Sequence, residues 1–379
     1  MLEENQALEP FVDTIFLPFN SNFISMKRII FFHLYNDISG SPKVLSMVVR
    51  GLVAKGYEVE LFTSNTDGFL SGIENVIYHK FPYKWTSNKS VTLCRLLFAQ
   101  LYMFVMALKY NKDNSLFYIN TICPFAPALA GKIKKIPVVY HVHEVYIKPN
   151  LLHRFYAWMW RRLSSFSFFV SRYVQEHYLV DTSNTAVVYN ALSESFINRI
   201  PLQADNRNKN CILMISSFKV YKGVNEFVDL AFKLPQFKFR LVLNTKFNEV
   251  RNFITSYPDN LEIFTVQNDI HPFLQKADLL LNLTIPSLCV ETFGLTLLEA
   301  MAYGVPVICP PVGGPIEFVK DNYNGFKVDS RNLDELCDKI SFILNGENYD
   351  RLSVNAKQTA LKFNESEMIR VIDEKLKEF

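Results

Sequence analysis

The sequence predicts an α/β protein of two domains, each a doubly wound parallel sheet, on three observations. Strand-like apolar runs alternate with helical patterns, the alternation restarts after a polar gap near the middle of the chain, and the length exceeds what one core accommodates. The chain has 379 residues, 49% of them hydrophobic and only 13 of them Gly, whereas single cores stop growing near roughly 250–300 residues. Disordered, collagenous and small disulfide-stapled classes are excluded by the same composition.

The first domain is expected to open at Met26, where Lys27-Arg28-Ile29-Ile30-Phe31-Phe32 reads as a buried strand. Residues 1–25 show no clean periodicity and are read as an extension upstream of the natural start. The turn-rich stretch Asn36 to Pro42 leads to a helical pattern through Val44, Leu45, Val48, Val49, Leu52 and Val53 that stops at Gly56. Strands Tyr57–Phe62 and Val76–Phe81 follow, then a helix over Val91–Lys109, strand Leu116–Ile119, helix Pro124–Lys134 and strand Val138–His141. This domain is assigned to residues 26–192 and a linker to 193–210, which holds the polar run Asn206-Arg-Asn-Lys-Asn210. The second domain, 211–363, repeats the pattern with strands at Cys211–Ile215, Phe239–Leu243, Leu261–Phe264, Leu279–Leu283 and Val305–Cys309 and a helix from Gly223 to Lys233. Two helices are expected in the tail. The last spans 364–379 and starts at Asn364, three residues before Glu367 as in a capping box, with Met368, Val371, Ile372 and Leu376 on one face.

Composition also narrows function. A formal net charge of +3 and the lack of a basic block argue against a nucleic-acid partner. The six cysteines (94, 123, 211, 289, 309 and 337) form no close pair, so neither a zinc site nor a disulfide framework is indicated, and they read as small buried hydrophobes in a reducing compartment, hence a cytoplasmic location. Glu3, Glu4 and Glu9 stand where a secretory signal needs positive charge. The longest apolar run, Leu96 to Leu108, is about 13 residues against the roughly 20 of a membrane span, and core packing is the expectation for the helix around it.

The segment from Glu291 to Glu317 carries the chemistry. Pro286 and Ser287 break the preceding strand, and a helix starting near Phe293 or Gly294 would aim the free amides of Gly294, Leu295 and Thr296 at an anion. Glu291 then lies just before the helix and Glu299 two turns along it, about 10 Å away at roughly 1.5 Å per residue. Carboxylates at the ends and amides between them match a nucleoside diphosphate sugar, with hydroxyls at both ends and negative charge in the middle. Gly313 and Gly314 would allow the backbone a close approach to the phosphates. Two glutamates eight apart also arise by chance, and Gly304-Val-Pro306 also reads as a plain helix stop.

On these residues the sequence resembles glycosyltransferase family 4, whose E-x7-E signature Glu291 and Glu299 match; the Gly40 loop, His143-Glu144, Val187-Val-Tyr-Asn190, Lys222-Gly223 and Gly313-Gly314 fall in family order from Met26 onward. The resemblance implies the GT-B fold, two facing Rossmann-like domains with acceptor on the first and donor nucleotide on the second, and retention of anomeric configuration. It implies that Glu299 binds the ribose hydroxyls and Glu291 the donor-sugar hydroxyls, that Phe293, Gly294 and Leu295 offer backbone amides, and that Lys222 neutralises the pyrophosphate, a cation where the leaving group gathers charge. It assigns His143, with Glu144 beside it, to the donor sugar; His141 shares its face of the strand, and no third ligand at metal spacing accompanies the two. It places the Gly40 loop near donor phosphate and acceptor, where an ordinary βα turn is the other reading. It also implies that the tail helix crosses back onto the first domain.

The sequence departs from the family twice. Ser217 stands where an arginine is usual, with Lys219 as the candidate substitute lacking the bidentate fork, and Thr292 stands where many relatives have glycine. No Asp-x-Asp tripeptide occurs, so no cofactor and a metal-independent transfer are expected. With no nucleophile evident, the family implies front-face transfer through an oxocarbenium-like transition state. The expected activity is transfer of a hexose or similar sugar from a nucleotide sugar to a glycan or lipid-linked saccharide in surface-polysaccharide assembly. A catalytically silent sugar-nucleotide-binding subunit and a sugar-nucleotide epimerase of similar architecture stay open; a nicotinamide enzyme is disfavoured because no G-x-G-x-x-G follows the first strand. Residues 151–162 mix Trp158 and Trp160 with Arg154, Arg161 and Arg162, which reads either as a peripheral contact with the inner face of the cytoplasmic membrane or as an ordinary packed helix.

Overall fold

The computed structural model describes residues 28–86, 88–179, 182–201 and 209–379; the expected extension 1–25 and residues 202–208 of the expected linker lie outside the described residues. In the first domain β1 (Arg28–Phe32), α1 (Gly40–Ala54), β2 (Glu58–Ser64), β3 (Val76–Phe81), α2 (Lys89–Ala107), β4 (Ser115–Asn120), α3 (Ala126–Lys134) and β5 (Val138–Val142) alternate as the apolar runs do. They are followed by α4 (Asn150–Leu163), β6 (Phe166–Phe169), α5 (Arg172–His177), β7 (Thr185–Val187) and the short α6 (Glu194–Ile197). The strands form one parallel sheet ordered β3-β2-β1-β4-β5-β6-β7. Strands β1, β4 and β5 are buried almost throughout, as a parallel sheet covered on both faces requires.

The second domain holds β8 (Cys211–Ser217), α7 (Val224–Lys233), β9 (Lys238–Asn244), α8 (Phe247–Phe253), β10 (Leu261–Thr265), α9 (His271–Gln275), β11 (Leu279–Leu281), α10 (Leu295–Ala302), β12 (Val307–Cys309) and β13 (Gly325–Lys327). Its parallel sheet runs β10-β9-β8-β11-β12-β13. Helices α11 (Leu333–Leu344), α12 (Tyr349–Ala360) and α13 (Glu365–Leu376) complete the chain, three in the tail where two were expected. In both sheets the order reverses beside the first strand of its domain, the point at which open α/β sheets bind ligands at the carboxyl ends of their strands.

Two expectations need correction. The helix over 91–109 is not a core helix. α2 spans 19 residues and buries only Ala99, Gln100, Met103 and Ala107, because alternate turns of an apolar helix look alike in sequence whether or not a partner covers them. By length and composition it is also apolar enough to cross a membrane, although it lies packed on α3. Gly40 is not a loop residue but the first residue of α1, and a Cβ built on it meets nothing within 4 Å.

The domains meet through a continuous apolar seam in which the rings of Tyr189, Phe293, Phe318 and Phe363 contact one another at centroid distances of 5.4 to 6.3 Å. Helix α13 leaves the second domain and buries Met368, Ile369, Ile372 and Leu376 with Val44, Val48 and Leu52 of α1. Asn364 caps it by accepting from the Glu367 amide (2.9 Å). Gly51 of α1 is filled by Ile369, whose side chain would lie 2.6 Å from a Cβ there. Buried Asp373 is met by Tyr57 OH (2.8 Å), Lys55 (3.0 Å) and Lys377 (2.8 Å).

Because Ile372 is fully buried against the first domain, Ile372→Ala is expected to cost about 2–5 kcal/mol. Amide hydrogen exchange should then accelerate in α1 and β2 while β8 and β9 keep their protection; uniform acceleration would show that the helix belongs energetically to both domains alike.

Candidate active site

The E-x7-E segment is shaped by glycine packing. After β11 the chain runs to Glu291 and then to Gly294, whose left-handed conformation (φ +92°) turns it into α10. A Cβ at Gly313 would sit 2.3 Å from the Glu291 carbonyl oxygen and one at Gly314 would sit 2.1 Å from that of Thr292. The diglycine therefore seats the Glu291–Thr292 backbone, with Gly314 N–H donating to Glu291 O (2.9 Å). This contact demands glycine at both positions. The amides of Gly294, Leu295 and Thr296 precede the first helical hydrogen bonds of α10, donated by Leu297 and Leu298 to Gly294 O, and stand at its positive end.

Glu291 and Lys222 meet directly. Lys222 Nζ donates to Glu291 Oε2 (2.7 Å) and to Thr284 Oγ1 (3.4 Å), and Asn282 Nδ2 donates to the same carboxylate oxygen (3.4 Å). The Phe293 amide also hydrogen-bonds the Glu291 carboxylate, so the structure directs that N–H at Glu291, and of the expected amides those of Gly294, Leu295 and Thr296 are left for an anion. Burial works against both charges, yet the pair outweighs it: the Lys222 ammonium is held above the usual lysine range, and Lys222 with its hydrogen bond holds the Glu291 carboxyl below the usual carboxylate range. Both ions therefore stay charged in a half-buried site.

Glu299 has a different partner. It is almost wholly buried and its carboxylate takes Lys43 Nζ from the first turn of α1, in the other domain. The Lys43 ammonium also lies over the rings of Phe69 and Phe196 (5.6 and 5.5 Å). Lys219, the expected substitute for an arginine at Ser217, is exposed and sits over the ring of Trp85 in the first domain (5.8 Å). The structure places its side chain against the facing domain, and no side-chain hydrogen bond joins it to Glu291 or Lys222 among the described residues, although its carbonyl accepts from the Lys222 amide (2.9 Å).

His143 belongs to a buried cluster on the first domain. Asn120 Nδ2 is paired with His33 Nδ1 (3.1 Å) and reaches Ser41 O (3.4 Å). With the amide so oriented, Asn120 Oδ1 accepts from His143 Nε2 (2.9 Å), which leaves Nδ1 as the acceptor of a neutral ring. Burial lowers His33 to about 4 and His141 to about 3, and it pushes His143 well below the usual imidazole range with His141 and His33 adding to the effect. Glu144 accepts from the amides of Ile122 and His143 (3.3 Å each), but burial prevails and raises it to about 7.

Sequence reasoning missed Lys43, Asn120, Asn282, Thr284 and Glu317. Glu317 closes the seam: its carboxylate accepts from the Arg172 and Tyr173 amides at the start of α5 (3.1 and 2.8 Å) and from Tyr189 OH (2.8 Å). Ser171 Oγ donates to Thr292 O (2.7 Å). The one local signal was Lys43 itself, a cation in the first turn of a helix whose following positions are apolar. Among the described residues no three His, Cys, Asp or Glu side chains gather where a metal ion could be held.

Two outcomes are expected. Lys43→Met leaves the Glu299 carboxylate buried without its cation and should cost about 1–3 kcal/mol of stability. Adding Glu299→Gln should recover part of that loss, and strictly additive costs in the double-mutant cycle would show that the pair does not interact. The histidine cluster makes stability fall with acid: unfolded histidines titrate near 6.5, the native rings resist protonation, and the contribution is full above that pH and lost as pH drops toward about 4. Glu144 has the opposite slope, its share lost as pH rises toward 7, but one carboxyl opposes three imidazoles. Thermal melts should drop between pH 7 and 5 and drop less steeply in His33→Asn; equal slopes would remove the cluster as the cause.

Comparison with known proteins gives the family. The model of glycosyltransferase family 4 matches residues 38–196 and that of glycosyl transferases group 1 matches residues 199–359, one for each domain. An uncharacterized glycosyltransferase of Methanocaldococcus jannaschii is 25% identical over 338 residues, 84% of this chain and 90% of that protein. The N,N'-diacetylbacillosaminyl-diphospho-undecaprenol alpha-1,3-N-acetylgalactosaminyltransferase of Campylobacter jejuni is 30% identical over 164 residues, 42% of each chain. The crystal structure of Anabaena Alr3699/HepE in complex with UDP and glucose superposes with a TM-score of 0.75 at 21% identity, covering 93% of this chain and 100% of that one. Sucrose-phosphate synthase from Thermosynechococcus elongatus superposes at 0.72 and 17% identity, covering 93% of this chain and 98% of that one. The fold is thus GT-B, and with the two family models matching successive halves the chain belongs to the family 4, group 1 glycosyltransferases.

Proposed function

We propose that this glycosyltransferase takes a sugar from a nucleotide-sugar donor and passes it, with retention, to a glycan or lipid-linked saccharide in surface-polysaccharide assembly. The observation that carries the reading is the Lys222–Glu291 pair beside the amide end of α10. A carboxylate for sugar hydroxyls, a fixed ammonium and free amides for a diphosphate, and a second carboxylate at Glu299 for a ribose diol lie along one segment. The Anabaena relative in complex with UDP and glucose and the Campylobacter relative named for a diphospho-undecaprenol acceptor support the donor and acceptor classes.

In this reading the bond from the anomeric carbon to the leaving phosphate breaks on the face where the acceptor hydroxyl bonds to that carbon, and the hydroxyl proton passes to the departing phosphate oxygen. Lys222 and the amides of Gly294, Leu295 and Thr296 stabilise the diphosphate as charge builds, and transfer proceeds without a divalent cation. Glu291 keeps Lys222 charged despite burial. His143, neutral and fixed by Asn120, offers a hydrogen-bond acceptor to the donor sugar. Working on a lipid-linked acceptor places the enzyme at the inner face of the cytoplasmic membrane, with α4 as the contact.

Calorimetric titration with uridine, guanosine and adenosine diphosphate sugars in chelator is expected to find one saturable donor, bound more weakly by Glu299→Ala. With that donor and a lipid-linked saccharide, the product should keep the donor's anomeric configuration by proton NMR, and Lys222→Ala should lower kcat about 10²–10³-fold. Inversion, or a covalent glycosyl-enzyme on Glu291, would overturn the mechanism. Binding without turnover across acceptors would favour the silent subunit, which the serine at position 217 makes the second reading.

A further inference from the structure

Three neighbouring helices of the first domain are apolar on faces that nothing covers among the described residues. On α2 the residues Leu93, Leu97, Leu101 and Val105 recur every fourth position and are exposed, Leu97 by 56% and Leu101 by 62%. α3 packs against α2 and exposes Leu129 and Ile133, and α4 packs against α3 and exposes Leu151, Phe155 and Trp158. The contact continues through the Phe125 and Phe155 rings, 5.1 Å apart. Helices apolar all round are normally buried, and a contiguous patch of this kind marks an interaction surface.

The charge on the same helices names the partner. None of α2, α3 and α4 contains an Asp or Glu, although the chain has 37 of them, and together they carry Lys89, Arg95, Lys132, Lys134, Arg154, Arg161 and Arg162. A groove of about 430 Å³ beside α4 is lined by His153, Arg154, Trp158, Arg161, Arg162 and His177, with the Arg162 guanidinium over the Trp158 ring (5.7 Å). Leucine, phenylalanine and tryptophan side chains framed by cations fit the boundary between headgroups and acyl chains, and guanidinium groups beside them fit lipid phosphates. A second copy of the chain fits poorly, because two such faces would set cation against cation.

We infer that the α2–α3–α4 face docks this protein onto an anionic bilayer, lying on the membrane rather than crossing it. The inference rests on the proposal that the acceptor is lipid-linked, and it extends the contact from α4 to a three-helix platform. α2 contributes most of the apolar area, and its inner side stays with the domain through Gln100, which donates to Cys123 O (3.0 Å) and accepts from Ala126 N (3.1 Å).

The test is cosedimentation of the full chain with vesicles of phosphatidylcholine containing about 30 mol% phosphatidylglycerol, beside vesicles of phosphatidylcholine alone. Binding to the anionic vesicles is expected, weakened by about 0.5 M NaCl. The double variant Leu97→Glu with Leu101→Glu and the double variant Arg154→Ser with Arg162→Ser should each reduce it at least tenfold. Melting temperature and binding of the donor found by calorimetry should stay as in the parent, so that a failed donor site and a failed docking face give different results. Equal binding to neutral vesicles, binding untouched by both variants, resistance to alkaline carbonate extraction from cell membranes, or a dimer in sedimentation velocity that the leucine variants dissociate would each overturn the inference.

Discussion

Three carboxylates of the second domain are shielded from water, Glu299 almost fully and Glu291 and Glu317 in part, and the arrangement of the two domains follows from how each is answered. A buried carboxylate is costly without a cation or several donors. Glu291 finds Lys222, Asn282 and the Phe293 amide within its own domain. Among the described residues Glu299 and Glu317 find theirs across the seam, in Lys43 and in the α5 amides with Tyr189 OH. The facing of the two domains thus satisfies charges that neither could satisfy alone. The aromatic joint of Tyr189, Phe293, Phe318 and Phe363 holds the seam dry enough for those pairs to matter.

The tail helix completes this economy from the other side. α13 belongs to the second domain by sequence, yet its apolar face and Asp373 are spent on α1, the helix whose first turn holds Lys43. Packing at Ile369 and Ile372 and the ion pair at Glu299 therefore bear on opposite ends of one helix. A displacement of α1 along its axis would disturb both, which couples the position of the cleft cation to a contact on the far side of the domain.

The parts of this protein legible in its sequence are those whose partners are close in the chain. The βα alternation, the turn at Gly294 before α10, the cap at Asn364 and the pair of glutamates all sit within spans of about ten residues, where period and spacing act. Strands β6 and β7, of four and three residues, are too short to show a period of two and were not anticipated. Lys43 and Glu299 are 256 residues apart and Glu317 is 144 from Tyr173, so no local pattern could join them. The packing of Gly313 and Gly314 was not legible, because the atoms that exclude a side chain there are the carbonyl oxygens of Glu291 and Thr292, set by the fold. The apolar pattern of α2 was visible and misassigned for a related reason: periodicity reports which face is apolar and not what covers it.

The lysine pairs also bear on how a donor would enter. In this structure each glutamate of the E-x7-E pair is already neutralised, Glu291 by a lysine of its own domain and Glu299 by one from the facing domain. On the proposed function a nucleotide sugar does not fill an empty polar site; it exchanges partners with one already balanced. A ribose diol can take the place of Lys43 on Glu299 by donating hydrogen bonds, and the displaced ammonium then stands free near an incoming diphosphate, whose charge it can answer. Lys222 needs no such exchange, because an ammonium held by Glu291 and Thr284 still has a proton to direct at a phosphate oxygen. Charges fixed before the substrate arrives cost no reorganisation during transfer. The cross-domain lysine adds a dependence that a single-domain site would lack, since the donor carboxylate is fully released only as the first domain yields its cation.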